Sequence, residues 1–243
     1  MNNNNRILPK EYKKYHPFDL NTNSILYTYQ NEIYKIPYYI KEDLEDILNY
    51  LKECNLNELV QINKMLYQNE KLVGYSMNNY NNYKSMKKNR HRTLRLKKED
   101  CKKIIAASEK LNKYNIIFND YHESNILLNN ETNNIKICDI DAIKISDDER
   151  LKKLQIKQSI VLCISYLYNV KKEYMNLLIR SNTEVNKSRL INDFLKLENI
   201  KLEGNTEILD KIDYDIIDED KKVLKKYIKE EREKSCFYQY FDF

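Results

Sequence analysis

Apolar and polar positions in the first eighty residues follow the pattern of strands, with one helix between them. The run Ser24–Ile36 is rich in Ile and Tyr and is divided by the polar pair Gln30-Asn31, which predicts a β-hairpin. Over Lys41–Cys54 the apolar residues recur at helical spacing instead, with acidic residues in the first turns. Two more strand-like runs follow, Leu59–Met65 and Lys71–Met77. The predicted order is therefore strands, helix, strands.

One further hairpin is predicted in the middle of the chain. An apolar stripe predicts a helix over Lys97–Lys113, and the β-prone run Tyr114–Phe118 follows it. The runs Asn125–Leu128 and Asn134–Cys138 then flank an Asn-rich segment that suits a turn. This central region is thus expected to be a helix, a short strand and a hairpin.

The chain after Asp148 has a helical pattern throughout. Its most apolar stretch, Ile156–Tyr168, is shorter than the roughly 20 residues that cross a bilayer, so it predicts a buried core helix. The sequence has only 2 glycines and 3 prolines, which leaves no flexible linker to separate domains. We therefore predict an α+β fold in a single domain, or in two lobes of one domain.

Polar residues suited to phosphoryl transfer flank the central hairpin. The sequence Asp120-Tyr-His-Glu-Ser-Asn125 precedes its first strand, and Asp139-Ile-Asp141 follows its second strand. Phosphoryl transfer requires a carboxylate near the acceptor hydroxyl and oxygen ligands for the magnesium on the nucleotide phosphates. Because a hairpin turns the chain back on itself, Asn125 and Asp139 are expected to lie side by side.

This pattern resembles the Asp-x-x-x-x-Asn loop and downstream metal-binding Asp shared by protein kinases and by the aminoglycoside and choline kinase-like phosphotransferases. The resemblance implies a two-lobed protein-kinase-like fold, with a small β-rich N-lobe containing one helix over residues 1–80 and a helical C-lobe over 81–243. The catalytic loop would be residues 118–125, and the metal-binding strand would be 135–141. ATP and Mg²⁺ are the implied cofactors.

The resemblance assigns roles to the polar residues around the hairpin. Asp120 would accept or orient the proton of the acceptor hydroxyl, while Asn125 and Asp139 would coordinate magnesium. His122 matches the version of the loop found in small-molecule phosphotransferases. It could orient the loop or contact phosphate, and a purely structural role is an equal alternative.

Lys35, in the second strand of the first hairpin, stands where the family keeps its phosphate-binding lysine. Its two strand neighbours are apolar or aromatic and would lie on the opposite face. The alternative is a solvated strand lysine. The family's partner carboxylate lies on the following helix, which favours Glu45, with Glu42 and Glu53 left open.

The strand that ends at Met77 resembles the one that leads to the interlobe hinge of the family. Met77 would then lie beside the adenine pocket, and the backbone groups of Asn78 to Tyr80 would contact adenine. An amphipathic edge hairpin with no ligand is the alternative.

Several features depart from the family pattern. No glycine precedes Gly74, so the Gly-rich phosphate loop is absent, and a loop around Asp19–Asn23 could cover the phosphates instead. Phe118 replaces the usual His of the catalytic loop. Between Asp141 and the helix that starts near Arg150 there is almost no room for an activation segment. Regulation by phosphorylation of such a segment is therefore not expected.

Composition excludes several other classes of protein. The 5 cysteines are odd in number and never form a C-x-x-C pair, which argues against a disulfide framework and a zinc site. No apolar run is long enough to span a bilayer, and the start of the chain does not resemble a signal peptide, so a cytoplasmic location is expected.

A net charge of +5 does not by itself indicate a nucleic-acid partner. The basic stretch Lys87–Lys98 is interpreted as a solvated loop and helix start; recruitment of an acidic partner is the alternative.

We therefore interpret the chain as a compact, bacterial-type kinase, an atypical protein Ser/Thr kinase that transfers the γ-phosphate of ATP to a protein hydroxyl. A small-molecule phosphotransferase is the first alternative, favoured by His122 and by the missing activation segment. The second is a pseudokinase scaffold that binds a protein partner, favoured by the missing Gly-rich loop. The acceptor itself leaves no motif in the sequence.

Overall fold

A computed structural model gives the fold. It describes Leu8, residues 12–15, residues 23–172, Met175 and residues 193–239. Within these residues, no helix combines the length and apolar character needed to cross a bilayer.

The chain forms two compact units. The first comprises the residues up to Lys87 together with Glu123–Ile145, and the second comprises Lys88–His122 together with the residues from Ser146 onward. The predicted boundary at residue 80 lies close to the end of the first segment. The resemblance places the central hairpin in the C-lobe; in the structure the hairpin belongs to the same compact unit as the N-terminal strands.

A five-stranded antiparallel sheet forms much of the first unit, in the order β1-β2-β3-β5-β4. The predicted hairpin is confirmed as β2–β3, and the two strand-like runs after the helix are confirmed as a paired β4 and β5, whereas the sequence pattern does not indicate β1. The strands are β1 (Lys13–Tyr15), β2 (Ser24–Tyr29), β3 (Glu32–Pro37), β4 (Ile62–Gln68) and β5 (Lys71–Asn78).

Two-residue turns close both hairpins. Gln30 and Asn31 have φ angles of 45° and 63°, and Asn69 and Glu70 have φ angles of 50° and 61°. Tight turns with two left-handed residues match the right-handed twist of the strands that they join, and Asn adopts this conformation more readily than most residues. The polar residues therefore form the turns that join the strands of both hairpins.

Helix α1 (Leu44–Cys54) follows β3 and begins three residues later than predicted. All four members of its apolar stripe are buried: Leu44, Ile47, Leu48 and Leu51. Asn55 ends the helix in a left-handed conformation, and its backbone N–H donates to the carbonyl of Leu51 at 3.1 Å. This is a common helix terminus, because it satisfies one of the carbonyls left open at the end of a helix.

A second, three-stranded sheet in the same unit has the order β6-β8-β9. Its strands are β6 (Tyr83–Ser85), β8 (Ile126–Asn129) and β9 (Ile135–Ile137). Leu59, predicted as the start of the next strand after α1, forms a bridge with Ile137 of β9 instead, and the N–H of Val60 donates to the Ile137 carbonyl at 3.0 Å. The loop after α1 is thereby fixed to the central hairpin. Strand β10 (Ile143–Ile145) ends the unit.

The two faces of the five-stranded sheet differ in character. Tyr34 and Ile36 of β3 are buried with Leu8 in a cluster rich in aromatic residues. Tyr12 stacks on Tyr29 within it, with 4.6 Å between ring centroids. Because successive residues of a strand point to opposite faces, Lys35 lies on the other face, as predicted.

Helices dominate the second unit. The apolar stretch Ile156–Tyr168 lies within the buried part of the helix Glu149–Tyr168, which confirms the predicted core helix. The prediction of helix throughout the C-terminal part is wrong at residues 200–206, which form a loop with Gly204 at a φ of 79°. The elements are α2 (Leu94–Lys113), β7 (Ile116–Phe118), α3 (Glu149–Tyr168), α4 (Glu207–Asp210) and α5 (Tyr214–Gln239).

Part of the basic stretch Lys87–Lys98 is structural rather than solvated. The Arg92 guanidinium donates to both carboxylate oxygens of Asp100 at 2.8 Å, and these side chains are 7% and 2% exposed. The buried Lys97 ammonium donates to the backbone carbonyl of Tyr166 at 3.2 Å and lies 5.0 Å from the centroid of its ring. The interpretation as a solvated run is therefore wrong at Arg92 and Lys97, because the first turns of α2 pack against α3.

The Arg92–Asp100 pair generates a prediction about stability. Removing one partner of a buried ion pair costs about 3–5 kcal/mol, because the other charge stays buried without compensation. We expect Arg92→Leu to lower the free energy of unfolding by this order, as measured by denaturant unfolding. Arg92→Leu/Asp100→Leu should recover part of the loss. The matched control is Arg95→Leu, which breaks an exposed pair with Glu99 and should cost about 1 kcal/mol or less.

The same pair predicts a dependence on pH. Burial raises the pKa of Asp100 to about 6, against the opposing charge of Arg92. A carboxyl whose pKa is raised by folding stabilises the fold below its unfolded pKa, and that contribution is lost as pH rises through the folded value. Without Arg92 the pKa of Asp100 should rise further. Arg92→Leu should therefore destabilise the protein more at pH 8 than at pH 5; an equal loss at both would contradict this account.

Candidate active site

Lys35 occupies the middle of β3, where it pairs with Tyr75 of β5 in the sheet register. Both residues lie on the face opposite the aromatic cluster, because Tyr34 and Ile36 take the other one. The Lys35 side chain is only 8% exposed, which excludes the alternative of a solvated strand lysine. A buried ammonium requires a charged partner nearby.

The central hairpin brings its two polar ends together. Ile126 of β8 pairs with Ile137 of β9, and the backbone N–H of Cys138 donates to the Asn125 carbonyl at 2.9 Å. Asn125 therefore lies across the ladder from the residue that precedes Asp139. The expectation that the hairpin would place these two residues side by side agrees with this register.

The chain turns sharply just after the hairpin. Asp139 has a left-handed conformation, with φ of 63° and ψ of 48°, and it precedes a single turn of 3-10 helix over Ile140–Ala142. Ile140 is buried and anchors the turn. The Ala142 N–H closes it by donating to the Asp139 carbonyl at 3.1 Å. With Ile140 directed into the core, the carboxylates of Asp139 and Asp141 both reach the same cation.

That cation is Lys35. Its ammonium forms ion pairs with Oδ1 of Asp139 and with Oδ2 of Asp141, the latter at 2.8 Å. The phenol of Tyr75 donates to the other carboxylate oxygen of Asp141. The Lys41 ammonium, from the loop between β3 and α1, donates to the Asp141 backbone carbonyl at 2.6 Å. The site is thus a cluster of two carboxylates, two ammonium groups and one phenol, all from the first unit.

Burial and charge act against each other within this cluster. Burial lowers the pKa of Lys35, but the charges of Asp141 and Asp139 outweigh it and raise the pKa above its usual value, so the group stays an ammonium. Burial also raises the pKa of Tyr75, and the charge of Asp141 adds to that effect. Its phenol is therefore a neutral hydrogen-bond donor at physiological pH.

Asp141 and Tyr75 are site residues that sequence reasoning did not assign. Asp141 is part of the motif Asp139-Ile-Asp141. Its spacing of two residues from Asp139 is the sequence feature that could have indicated a role in the site. Tyr75 gave no signal, because a Tyr in a β-strand is ordinary and its partner is 66 residues away.

Gly74 is required by the close approach of β5 to β3. A Cβ built at this position would overlap the backbone carbonyl oxygen of Lys35 and would come within 2.8 Å of the Ile36 Cδ1. A side chain at residue 74 would therefore displace the segment of β3 that carries Lys35.

The predicted partnership between Lys35 and Glu45 is not what the structure forms. Glu45 accepts a hydrogen bond from the phenol of Tyr67 on β4 at 2.6 Å, while Lys35 is paired with Asp139 and Asp141. The physical reason is position: α1 begins at Leu44, so Glu45 lies in its first turn, within reach of β4. The alternatives Glu42 and Glu53 are both exposed.

The predicted adenine-contacting segment lies at the end of β5. Met77 pairs with Ile33 and Ile62 in the sheet. The backbone N–H groups of Asn78 and Asn79 donate to the carbonyls of Gln61 and Asn31.

Tyr80 is turned toward the loop after α1. Its phenol oxygen accepts a hydrogen bond from the Gln61 N–H at 3.0 Å, and the Lys136 ammonium lies 5.3 Å from its ring centroid. A role of residues 77–80 in binding adenine stays a prediction.

Asp120 and His122 belong to the second unit, in the loop after β7. Both are exposed, whereas Tyr121 between them is fully buried and packs edge-on against Phe118, with ring centroids 5.1 Å apart. The Lys172 ammonium donates to the Tyr121 carbonyl at 2.8 Å. The burial of Tyr121 therefore directs its two polar neighbours outward.

Gln155 of α3 is a supporting residue that the sequence analysis missed. It is fully buried, and its side-chain oxygen accepts a hydrogen bond from the Phe118 N–H. Its amide nitrogen donates to Asn112 Oδ1 at 2.7 Å and to the Ile116 carbonyl at 3.1 Å. These bonds hold β7 at the start of the loop that carries Asp120.

The donor set near the hairpin fits magnesium. Mg²⁺ prefers oxygen ligands and is often held by one or two carboxylates together with substrate phosphates. Asp139, whose side chain is 40% exposed, and Asn125 supply such oxygens. In the part of the chain that the structure describes, no group of three or more His, Cys, Asp or Glu could hold a metal by itself.

Of the segment proposed to cover the phosphates, Asp19–Asn23, the structure describes only Asn23. The prediction for the rest of the segment therefore lies outside the described residues.

Comparison of the fold with solved structures finds a viral kinase. The chain is similar to the Cydia pomonella granulovirus kinase PK-1 with a TM-score of 0.56, over 82% of this chain and 93% of that one, at 14% sequence identity. No protein-family model matches the sequence, and no curated protein does. At this level of identity the similarity establishes the fold: the chain has a protein-kinase-like fold, with a β-rich N-lobe and a helical C-lobe.

The close approach at Gly74 predicts the effect of one methyl group. Gly74→Ala should lower the free energy of unfolding by about 1–3 kcal/mol, as overpacking of a tight site does. Thermal unfolding would measure the loss. Ile36→Val removes Cδ1 but leaves the carbonyl oxygen of Lys35 in place, so it should not rescue Gly74→Ala. Rescue would show that the Ile36 side chain, and not the backbone of β3, is the obstacle.

Proposed function

We propose that this protein is an ATP- and Mg²⁺-dependent phosphotransferase that acts on a hydroxyl acceptor. The observation that carries the proposal is the cluster in which the Lys35 ammonium contacts Asp139 and Asp141 directly after the hairpin that begins at Asn125. Phosphoryl transfer needs a cation for the nucleotide phosphates and oxygen ligands for the metal, and this cluster contains both. The protein-kinase-like fold supports the same reading.

Each residue has a role that follows from its chemistry. Lys35 binds the α- and β-phosphates as a compact positive charge once the nucleotide competes for it. Asp139 and Asn125 hold the magnesium, which neutralises charge on the transferred phosphoryl group. Asp120 orients the acceptor hydroxyl and takes its proton. The role of Asp120 rests on its sequence pattern and on its exposed position in the loop.

A protein Ser or Thr hydroxyl is the first candidate acceptor. The resemblance of the Asp120–Asn125 loop to protein kinases supports it, as does the similarity of the fold to a viral kinase. A soluble small molecule is the second candidate. It is favoured by the short connection between Asp141 and Glu149 at the start of α3, which contains β10 and leaves no segment to form a peptide-docking platform.

The catalytic assignment predicts two distinct defects. Asp120→Asn should keep nucleotide affinity but lower turnover about a hundredfold or more, because a general base typically contributes that much. Asp139→Asn should instead weaken the binding of the Mg²⁺–nucleotide complex and abolish turnover. Phosphate transfer from γ-labelled ATP and calorimetric binding of a non-hydrolysable analogue separate the two effects.

The exposed carboxylate Asp218 on α5 provides a matched control, and Asp218→Asn should behave as the wild type. Full activity of Asp120→Asn would remove that residue from the mechanism. If wild-type protein labels neither itself, generic protein substrates nor a panel of metabolites, and Asp139→Asn leaves nucleotide binding unchanged, the pseudokinase scaffold is correct.

The acceptor class is tested with the same labelled nucleotide. Transfer to Ser or Thr of protein substrates, detected after acid hydrolysis of labelled protein, would support the protein kinase. Transfer only to a soluble metabolite would exclude it and support the second candidate.

A further inference from the structure

The carboxylates that pair with Lys35 are not on the helix that follows its strand, where the kinase pattern has the partner glutamate. In protein kinases the corresponding lysine is positioned by a glutamate on the helix that follows it, and the formation of that pair controls activity. Here Glu45 of α1 is bonded to Tyr67, and the ion pairs of Lys35 run to Asp139 and Asp141. In this arrangement the carboxylates that hold Lys35 are therefore these two aspartates.

Exposure separates the two aspartates. The Asp139 side chain is 40% exposed and that of Asp141 is 24% exposed, so Asp139 is the carboxylate more open to an incoming metal. Asp139 also lies beside Asn125, the other proposed metal ligand, in the hairpin register. This position likewise favours Asp139 as the carboxylate that binds the metal. If Asp139 bound a metal, it would share its negative charge with that metal and would hold Lys35 less strongly.

Asp141 is held by groups from three separate segments. Lys35 of β3 contacts one carboxylate oxygen at 2.8 Å, and the phenol of Tyr75 on β5 donates to the other. Lys41, from the loop before α1, donates to its backbone carbonyl at 2.6 Å. Tyr75 is fully buried, and close packing around a buried side chain restricts the movement of its phenol. A carboxylate fixed in this way is suited to position a neighbouring ammonium.

We propose that Asp141, fixed by the buried phenol of Tyr75, is the positioning carboxylate for Lys35 and replaces the helix glutamate of other kinases. The assignment rests on the proposed function, because positioning matters for activity only if Lys35 binds nucleotide phosphates. The two aspartates then have different roles: Asp139 binds the metal, and Asp141 positions the ammonium of Lys35. It also makes the pairing of Lys35 independent of α1, since the helix contributes no carboxylate to it.

The pairing is tested first without nucleotide or turnover, by double-mutant cycles on the melting temperature. Lys35→Met/Asp141→Asn should melt at least about 3 °C higher than the sum of the single shifts predicts, because contacting charges couple. The cycle between Lys35→Met and Glu45→Gln should be additive within about 1 °C. Coupling to Glu45 with none to Asp141 would overturn the proposal.

Lys41 supplies an internal control for these cycles. Its ammonium binds the backbone carbonyl of Asp141, which Asp141→Asn leaves intact. Lys41→Met and Asp141→Asn should therefore couple clearly less than Lys35→Met and Asp141→Asn do. Coupling of similar size in this cycle would mean that Asp141→Asn disturbs the local backbone rather than the side-chain pair, and the first cycle would then count against the proposal.

Kinetics test the positioning role itself. Asp141→Asn should raise the KM for ATP about tenfold or more and lower kcat, and Asp141→Glu should restore part of the loss, since a purely structural defect would not depend on the carboxylate. Tyr75→Phe should give a smaller change in the same direction. Asp46→Asn, an exposed carboxylate on α1, is the matched control and should leave both constants unchanged.

The two sets of measurements separate failure of this inference from failure of the proposed function. If wild-type protein transfers no phosphate, the proposed function fails and the melting cycles alone decide whether Asp141 holds Lys35. If wild-type protein is active, unchanged kinetics in Asp141→Asn would overturn the inference while leaving the phosphotransferase assignment intact.

Discussion

A buried lysine between two aspartates is the interaction on which the rest of the first unit depends. Removing an ammonium from water is costly, and the cost is offset only when opposite charges lie within contact distance and their remaining oxygens are also satisfied. Lys35 meets that condition through Asp139 and Asp141, and Asp141 is in turn satisfied by Tyr75. Strand β3, strand β5 and the end of the central hairpin must therefore stay in one arrangement.

Several otherwise unrelated features follow from that arrangement. The strands approach so closely beside Lys35 that residue 74 has room only for a glycine, one of two in the whole chain. The aromatic cluster around Tyr34 covers the opposite face of the sheet, which leaves the lysine face for polar chemistry. The bridge between Leu59 and Ile137 fixes the hairpin to the loop after α1. Packing and electrostatics thus require the same geometry.

The second unit shows how a polar sequence can be used for packing. Arg92 and Lys97 look like part of a solvated basic run, yet both side chains are buried: the Asp100 carboxylate of α2 accepts from Arg92, and the Tyr166 carbonyl of α3 accepts from Lys97. Gln155 plays a similar part beneath the loop that carries Asp120. Each of these polar groups sits where an apolar residue would leave a buried donor or acceptor without a partner. Local charge therefore says little about exposure here.

The sequence by itself determined the elements whose signal is local. Periodicity located α1, the hairpins and the core helix of α3, and the Asp120–Asn125 pattern with Asp139 indicated the kinase-like fold, because turns, amphipathic stripes and short motifs depend on neighbouring residues. Only the tertiary structure decided which carboxylates pair with Lys35, why Gly74 is required, and which basic residues are buried. Those outcomes depend on contacts between residues up to about a hundred positions apart, such as Lys35 and Asp139, and no local pattern contains the distance between them.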